Sequence, residues 1–590
     1  MKDIEVPKDG PISSRWGSDI AADMLRALGI KYVALNPGAS YRGLHDSLVN
    51  YLGNRDPQML LCLHEDHVVS IAHGYAKASD EMMACVLHSN VGLLHGLMGI
   101  YNAWCDRMPM LVLGATGPVE IEKRRPWIDW IHTSKDQGAL LRNFSKWDDE
   151  PRSPEGIVEA FLRAARTARA APRAPVYICL DAGLQEQALT KPVPVPDLAR
   201  YKSAAEPSAS VAQISEVADL LANARRPLIL MGRVSRNPDD WDRRVRLAEM
   251  LGASVLTSIR ERSAFPTDHA LHAAPPFFWL SKRAKEVVAD ADCILSLDWA
   301  DLNGALQQTT RSTPTIGAKI IHVSLDSLLH NGWSMDCFGL PPVDAPVLSG
   351  PDTFVGQLLP VLQERLGGKS RWDGSNRNVT PALEYSTDSA REIAPHDVEV
   401  ALEKARASKK ITLAHVTIGW AGDAYHFHDA LDFLGHDGGA GLAAGPGITV
   451  GAALALKDSG RVVVSVLGDG DFIQGITALW TAAHYRIPAL FIVSNNRSNF
   501  NDEIHQEAVA KMRDRAVENR WIGQRIDDPV VDITAMARAQ GVDAEGPVHT
   551  VPDLEVAIAR GLAVVASGKP YLIDTWVKPG YANPPLSRGG

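Results

Sequence analysis

Two polar residues follow two apolar runs in the last third of the chain. Asp469 lies in a Gly-Asp-Gly triplet after the β-branched run Val462–Val466, and Asn496 follows the apolar run Ala489–Val493. A helix-like stretch, Gln474–Arg486, separates the runs, which predicts a strand–helix–strand crossover. Because such crossovers are right-handed and join parallel strands, both strand ends lie on one sheet edge, where Asp469 and Asn496 can converge. A carboxylate and an amide oxygen suit Mg²⁺, and the glycines let the backbone approach a diphosphate closely.

The overall composition is that of an ordinary globular protein. The 590 residues are 45% hydrophobic and 22% charged, with a net charge of −10. Since the basic residues form no clustered excess, we predict no nucleic-acid partner. The N-terminus is polar, unlike a secretory signal, and no apolar run reaches about 18 residues, so we predict no membrane span. The six cysteines are scattered, which favours reduced thiols and a cytoplasmic location.

Two linker-like segments divide the chain into thirds. Residues 190–210 contain alternating prolines, and residues 367–378 are polar and rich in glycine. Each third alternates short β-rich runs with helical stretches, which predicts an α/β protein of three open parallel-sheet domains. The predicted domains are 11–189, 207–366 and 390–577, followed by a C-terminal tail at 578–590.

A Gly-Asp-Gly triplet alone is also typical of ordinary turns, but here the strand, helix, second strand and Asn495-Asn496 pair follow in order. This order resembles the diphosphate motif of enzymes that use thiamine diphosphate (ThDP). The chain is similar to the ThDP-dependent decarboxylase and acetolactate-synthase-like superfamily. The resemblance implies ThDP and Mg²⁺ as cofactors, with Asp469, Asn496 and the backbone carbonyl of Ser498 as metal ligands. The other residues that it places around the cofactor in this domain are Gly468, Gly470, Asp471, Leu442 and Thr417.

The same resemblance assigns a role to each domain. It implies that 11–189 binds the pyrimidine of ThDP, that 207–366 is a middle domain of the nucleotide- or CoA-binding kind, and that 390–577 binds the diphosphate. The tail at 578–590 would then either close over the site or be a frayed end. In this superfamily the two ends of one cofactor are bound by different subunits. The resemblance therefore implies a homodimer or homotetramer with active sites at the subunit interface.

Glu65 is the candidate catalytic carboxyl of the first domain. It lies in the stretch Leu60–Ser79, LLCLHEDHVVSIAHGYAKAS, which resembles the strand and helix that carry the pyrimidine-binding glutamate of the superfamily. A carboxyl held against N1′ of the aminopyrimidine activates the cofactor. Apolar neighbours predict a pKa raised by desolvation. The alternative is an acid that only complements the dipole of its helix.

The stretch Leu87–Ala115 resembles the benzoylformate-decarboxylase branch, and His88 matches the histidine of its Leu-His-Ser turn. His88 is either a proton shuttle or a histidine at a strand end. Two features depart from that branch: Ala39 stands where it has a serine, and the stretch Ile294–Thr310 lacks its middle-domain histidine. These departures weigh against an aryl 2-oxo-acid decarboxylase. The stretch His272–Leu280 lacks the glycines with which acetolactate synthases bind FAD, so we predict that FAD is not a cofactor.

Two further departures concern the third domain. The residue that bends ThDP in the superfamily aligns with Ala444, so either Leu442 or a neighbouring chain takes that role. The stretch Ser498–Pro529 resembles bacterial 2-hydroxyacyl-CoA lyases of the 2-hydroxyisobutyryl-CoA lyase type. The resemblance implies that Glu503, rather than Asp502, acts on the substrate hydroxyl. The alternative is a solvated acid at the start of a polar helix.

The sequence therefore predicts a lyase that cleaves a 2-hydroxyacyl-CoA to formyl-CoA and a ketone or aldehyde. One alternative is a 2-oxo-acid decarboxylase or acetolactate-synthase-like carboligase. Another is a non-catalytic ThDP-fold subunit, which intact Glu65, Asp469 and Asn496 argue against. A CoA substrate would bring phosphates to basic residues, each of which is otherwise a surface charge. The candidates are Lys123, Arg124, Arg125, Arg260, Arg262 and Arg588.

Overall fold

Three parallel β-sheets, one in each third of the chain, organise the structure. The computed structural model describes residues 5–10, 15–310, 316–329, 339–378, 391–407 and 409–580. The predicted fold class, three parallel-sheet α/β domains, is confirmed. Each sheet falls inside the range predicted for its domain, while the domain bounds themselves stay predictions.

The first sheet has six strands. They are β1 (Tyr32–Leu35), β2 (Gln58–Leu61), β3 (Met83–Val86), β4 (Met110–Thr116), β5 (Asp148–Asp149) and β6 (Pro175–Asp181). The order is β2-β1-β3-β4-β6-β5, with all strands parallel. The helices are α1 (Gly17–Ala27), α2 (Arg42–Asp46), α3 (Glu65–Ser79), α4 (Ser89–Cys105), α5 (Ile128–Ile131), α6 (Pro154–Arg169) and α7 (Ala182–Gln185).

The middle sheet has five strands. They are β7 (Pro227–Met231), β8 (Ser254–Thr257), β9 (Cys293–Leu297), β10 (Lys319–Ser324) and β11 (Ala345–Leu348). Their order is β11-β10-β9-β7-β8, so the direction of winding reverses next to β7 and β9. The helices are α8 (Val211–Asn223), α9 (Pro238–Leu251), α10 (Lys282–Asp290), α11 (Leu302–Thr310) and α12 (Pro351–Arg365).

The third sheet also has five strands. They are β12 (Ile411–His415), β13 (Val462–Gly468), β14 (Leu490–Asn495), β15 (Asp543–Val548) and β16 (Tyr571–Trp576), in the order β12-β13-β14-β16-β15. The helices are α13 (Pro395–Arg406), α14 (Ala444–Leu456), α15 (Asp469–Gly475), α16 (Ala478–His484), α17 (Phe500–Met512), α18 (Ile533–Ala539) and α19 (Val551–Ala566).

The predicted crossover exists, but its helix differs from the prediction. Instead of one helix over Gln474–Arg486, α15 begins at Asp469, directly after β13, and α16 follows a two-residue break. Asp469 and Asp471 both lie in the first turn of α15, where acidic side chains complement the helix dipole. The Gly-Asp-Gly triplet is therefore the start of a helix, whose first N–H groups have no partner within the helix. The N–H of Gly470 donates instead to Oδ1 of Asp469 at 2.9 Å.

Helices α3 and α14 join the first domain to the third through close backbone contact. A Cβ at Gly74 would lie 2.7 Å from Cα of Ile448, and one at Gly451 would lie 2.7 Å from the backbone nitrogen of Tyr75. Only glycine fits at both positions, because the obstructing atoms belong to the backbone. One buried hydrophobic cluster runs through both domains. This packing fixes Glu65, at the start of α3, relative to the loop before α14.

Candidate active site

The three predicted metal-binding residues lie together at the carboxyl edge of the third sheet. One N–H group, that of Ser498, donates to Oδ2 of Asp469 at 3.1 Å and to Oδ1 of Asn496 at 2.9 Å. The carboxylate and the amide oxygen therefore lie side by side, as the crossover argument predicted. Asp469 is 3% exposed, and burial raises its pKa to about 6, although hydrogen bonds from nearby N–H groups lower it. Burying the charged carboxylate costs free energy, which a bound divalent cation would offset.

The two asparagines at the end of β14, Asn495 and Asn496, have different roles. Asn495 is structural, since its amide donates to Asp574 on β16 at 3.0 Å and its oxygen accepts from the Arg497 N–H at 3.1 Å. Arg497 takes a left-handed backbone conformation, with φ of 58°. That turn brings the Ser498 N–H back towards Asp469. Neither Asp574 nor the conformation of Arg497 carries a signal in the sequence.

The loop before α14 closes the other side of the site. The N–H of Ala443 donates to Oδ1 of Asp471 at 2.7 Å, while Oδ2 of Asp471 is buried and has no hydrogen-bond partner among the described residues. Burial raises the pKa of Asp471 to about 6. Ala443 is itself in the left-handed region, with φ of 81°. A Cβ on Gly468 would meet no atom within 4 Å.

These observations test whether the residues fit ThDP and Mg²⁺. Hard oxygen ligands converge at Asp469 and Asn496, and the backbone at Gly468 is open. Such a donor set suits Mg²⁺ with phosphate oxygens completing its shell. The residues fit the implied cofactor.

The remaining predicted cofactor contacts border the same region. Leu442 is 54% exposed, whereas Ala444 is buried at the start of α14. Of these two residues, only Leu442 is exposed enough to contact a cofactor. Its contact with ThDP stays a prediction. Thr417 follows β12 and is half-buried, and its carbonyl accepts from the Trp420 N–H at 3.0 Å.

Glu65 occupies the first position of α3, preceded by His64, whose side chain accepts from the Asp66 N–H at 3.1 Å. Oε2 of Glu65 lies 3.1 Å from Nδ1 of His95, and the His95 ring stacks on His64 with centroids 5.0 Å apart. Glu65 is 7% exposed. The carboxyl therefore lies in a histidine-lined recess that the sequence pattern did not indicate.

The expectation of a raised Glu65 pKa is wrong in this structure. Burial raises it, as predicted, but hydrogen bonds from His95, from the backbone N–H of Glu65 itself and from Asn36, together with the charge of His95, outweigh burial and lower the pKa below its usual value. The apolar residues near it in sequence were a poor guide, because its polar neighbours come from elsewhere in the first domain.

The first domain supplies two polar neighbours for His88. Ser40, one position after Ala39, places its Oγ 2.8 Å from Nδ1 of His88. A second histidine, His132, packs edge to face on His88 with ring centroids 4.8 Å apart. A serine and a second histidine therefore lie beside His88, although neither stands at the sequence position expected from the benzoylformate-decarboxylase branch, and this weakens the sequence argument against a decarboxylase.

Glu503 lies on the inward side of α17 and is 2% exposed. Its Oε1 accepts from Oγ of Ser498 at 2.6 Å, and its carboxylate lies 3.4 Å from Arg525 and 3.6 Å from Arg520. The surface-acid alternative therefore does not describe this carboxylate. Its contact with Ser498 places it beside the metal ligands, and its catalytic role stays a prediction.

The two halves of the site are built separately. The residues found around Glu65 come from the first domain, and those around Asp469 come from the third. Both halves carry exposed apolar side chains. These include Leu63, Leu94, Trp127 and Trp130 in the first domain, and Ile418, Leu442, Met512, Trp521 and Ile522 in the third.

A cavity of about 730 Å³ lies between the three domains, at the carboxyl ends of β7, β9 and β10. Arg260 and Arg262, two of the basic candidates, line it. Arg262 lies 3.7 Å from Asp80, which also pairs with Arg236 at 2.6 Å. Cations and carboxylates are thus interleaved around the cavity rather than separated.

The other basic candidates are already engaged. Lys123 pairs with Glu120 at 2.9 Å, Arg125 pairs with Asp129 at 2.7 Å, and Arg124 donates to the carbonyl of Pro118 at 2.7 Å. Arg588 and most of the predicted tail lie outside the described residues.

Family models match all three domains. The "N-terminal TPP binding domain" of the thiamine pyrophosphate enzymes matches residues 15–140, the "central domain" matches 214–330, and the "C-terminal TPP binding domain" matches 417–575. Thiamine pyrophosphate is another name for ThDP. The chain belongs to the thiamine pyrophosphate enzyme family. The resemblance read from the Gly-Asp-Gly segment is confirmed at this level.

Individual relatives of this ThDP-dependent enzyme span nearly its whole length. It is 26% identical to benzoylformate decarboxylase of Pseudomonas aeruginosa, over 94% of this chain and 97% of the relative. It is 22% identical to the acetolactate synthase large subunit of Lactococcus lactis, over 98% and 94%. The solved structure of benzoylformate decarboxylase from Polynucleobacter necessarius has a TM-score of 0.78 at 21% identity, covering 96% of this chain and 100% of that one. This likeness shows the fold.

Two sequence expectations concern membrane-spanning helices and the state of the cysteines. Among the described residues, no helix has the length and apolarity that crossing a membrane requires. The described cysteines, Cys62, Cys85, Cys105, Cys179 and Cys293, are free thiols.

Proposed function

We propose that this enzyme is a ThDP- and Mg²⁺-dependent carbon–carbon lyase that acts on a small 2-oxo acid, releasing CO₂ or joining the remaining acyl unit to a second carbonyl compound. The observation that carries the proposal is the pair formed by Ser40 and His88 close to Glu65. A hydroxyl-bonded imidazole beside the cofactor-activating carboxyl suits proton transfer to a reacting carbon.

Each site residue has a task in this proposal. Asp469, Asn496 and the Ser498 carbonyl hold Mg²⁺, and Asp471 orients the loop that covers the diphosphate. Glu65 holds and exchanges a proton at N1′ of the aminopyrimidine. When bound, ThDP would supply the electron sink for the bond that breaks. His88 then delivers a proton to the carbon that has lost its carboxylate.

A second candidate is the 2-hydroxyacyl-CoA lyase predicted from the sequence, with formyl-CoA and a ketone or aldehyde as products. Its supporting observation is the buried position of Glu503, held against Ser498 beside the metal ligands. In this reaction Glu503 would take the proton of the substrate hydroxyl as the bond between C1 and C2 breaks. The interleaved charges of the interdomain cavity give CoA no clear phosphate site, which ranks this candidate second.

One product assay separates the two candidates. The enzyme with ThDP and Mg²⁺ is offered pyruvate, benzoylformate, 2-hydroxyisobutyryl-CoA and a linear 2-hydroxyacyl-CoA. We expect CO₂ release from an oxo acid that falls in His88→Ala and not in His45→Ala, since His45 is exposed. Formyl-CoA from a thioester, with inert oxo acids, would reject the first candidate. In that case turnover should fall in Glu503→Gln and not in Asp502→Asn, whose side chain is exposed.

We further propose that each active site combines the first domain of one subunit with the third domain of another. The separate halves around Glu65 and Asp469 and their exposed apolar side chains support this arrangement. Mixing inactive Glu65→Gln and Asp469→Asn chains under subunit exchange should restore part of the activity, because one site of each hybrid dimer carries both native residues. Persistent inactivity despite proven hybrid formation would contradict the shared site.

A further inference from the structure

Three contacts fix the ring of His88 in place. Ser40 Oγ lies 2.8 Å from its Nδ1, and the His132 ring meets it edge to face with an interplanar angle of 83°. The third contact is Gly38, where a Cβ would lie 2.6 Å from Nδ1 of His88. His88 precedes α4 but makes no side-chain hydrogen bond to cap that helix. Its ring is therefore held by these side contacts and not by helix capping.

Ser40 occupies one ring nitrogen of His88. The Ser89 N–H donates to Ser40 Oγ at 3.2 Å, and Ser40 is buried. A hydroxyl has one proton and two lone pairs, so Ser40 can donate to Nδ1 of His88 or accept from its Nδ1–H. In either case Nδ1 is engaged with Ser40, and Nε2 is the nitrogen left to exchange a proton.

Hydrogen bonds fix the loop that places His132 against His88. Its N–H donates to the Ile128 carbonyl at 3.1 Å, and the amide of Asn90 donates to the Ile131 carbonyl at 3.2 Å. The buried Asp129 anchors the same loop through Arg125, at 2.7 Å. Nδ1 of His132 is buried without a hydrogen-bond partner in the part of the chain that the structure describes. A buried polar atom without a partner costs stability, so hydrogen bonding at Nδ1 does not explain why the His132 ring lies here.

The charges that face His88 come from three elements. Burial lowers the pKa of His88 most, and His132 and Arg125 lower it further, while Glu65 at the start of α3 raises it. The net result is a pKa below the usual value, which makes the protonated ring a stronger acid. His132 is therefore placed to act on His88 both by packing and by electrostatics.

We infer that His132, together with Ser40, positions His88 for proton delivery: Ser40 holds Nδ1 of the ring by a hydrogen bond, which leaves Nε2 to exchange a proton with the substrate, and His132 fixes the tilt of the ring. The inference rests on the role proposed for His88. In that step the imidazolium form of His88 gives up its Nε2 proton: the Nε2–H bond breaks as a C–H bond forms on the substrate, the ring is left neutral with its remaining proton on Nδ1, and it recovers a proton from solvent. His132 and Ser40 act only through His88 and touch no reacting atom.

The test titrates His88 directly. Wild type, His132→Asn and the exposed-residue control His45→Asn are labelled at histidine Cε1 and titrated by NMR as apoproteins, with the His88 signal assigned from His88→Asn. We expect the pKa of His88 to rise in His132→Asn and to stay unchanged in His45→Asn. In the loaded enzyme, the alkaline limb of the pH–rate profile, where the proton donor is lost, should move in the same direction. An unchanged His88 titration in His132→Asn would overturn the inference.

Ser40 provides the second measurement. We expect turnover to fall about 2- to 10-fold in Ser40→Ala, the range for one neutral hydrogen bond, and to recover in Ser40→Thr, which keeps a hydroxyl. Equal turnover in the alanine variant would overturn the part assigned to Ser40. The titration separates this inference from the proposed function: a wild type inactive on every substrate, but with a shifted His88 titration in His132→Asn, would reject the function alone.

Discussion

Replacing Gly74 by alanine should loosen the contact between α3 and α14 on which both halves of the site depend. The added Cβ would lie 2.7 Å from Cα of Ile448 and nearer still to its carbonyl. Carbon atoms pack at about 3.5–4.0 Å, so the helices must part by about 1 Å. Neither obstructing atom can move aside, since both belong to the backbone of a buried helix.

The cost can be worked from that separation. A gap of about 1 Å forfeits a quarter to a half of each affected dispersion contact, on the order of 1 kcal/mol or more for a buried side chain. Several side chains along the contact are affected, while alanine recovers about 1 kcal/mol of helix propensity. We expect a net loss of about 2–3 kcal/mol in the free energy of unfolding, within the usual range for overpacking.

A matched variant isolates the steric effect. Gly356 also lies within a helix, α12, but a Cβ there would meet only Nη1 of Arg243, at 3.7 Å. Gly356→Ala should therefore stabilise the protein by about 0.5–1 kcal/mol. Urea denaturation compares both variants with wild type, and calorimetry measures their ThDP affinity. If Gly74→Ala were as stable as Gly356→Ala and bound ThDP like wild type, the packing argument would be refuted.

Three other predictions concern charged groups. Asp469→Asn should weaken Mg²⁺-dependent ThDP binding about 10- to 100-fold, measured by calorimetry, whereas Asp458→Asn at an exposed turn should not. Glu65→Gln should keep ThDP binding but lower turnover about 10²–10⁴-fold; normal turnover would remove Glu65 from catalysis. Glu399 is fully buried, and its pKa is raised to about 8, first by burial and then by the nearby charge of Asp423. Above about pH 4.5 the folded state therefore keeps a proton on Glu399 that the unfolded state loses. Stability from this group should fall as pH rises towards 8, by up to about 1.4 kcal/mol per unit, and urea denaturation of Glu399→Gln should lack that slope.

Much of the fold and of the diphosphate half of the site could be predicted from the sequence. The run before Asp469 and the run before Asn496 are short, apolar and joined by a helical stretch, so the handedness of parallel crossovers brings their ends together. The observed Ser498 N–H that donates to both side chains shows this convergence. Glu65 was identifiable because its motif is local.

Only the tertiary structure decided which polar groups meet in the first domain. Ser40, His88 and His132 lie in three segments that are far apart in the chain, and no periodicity relates their positions. The lowered pKa of Glu65 also depends on His95 and Asn36, which reach it only when α4 and β1 pack beside α3. Sequence patterns report backbone repeats and local motifs. Hydrogen bonds and pKa values depend on side chains brought within a few ångströms by packing, and for that reason only the structure showed Ser40 and His132 beside His88.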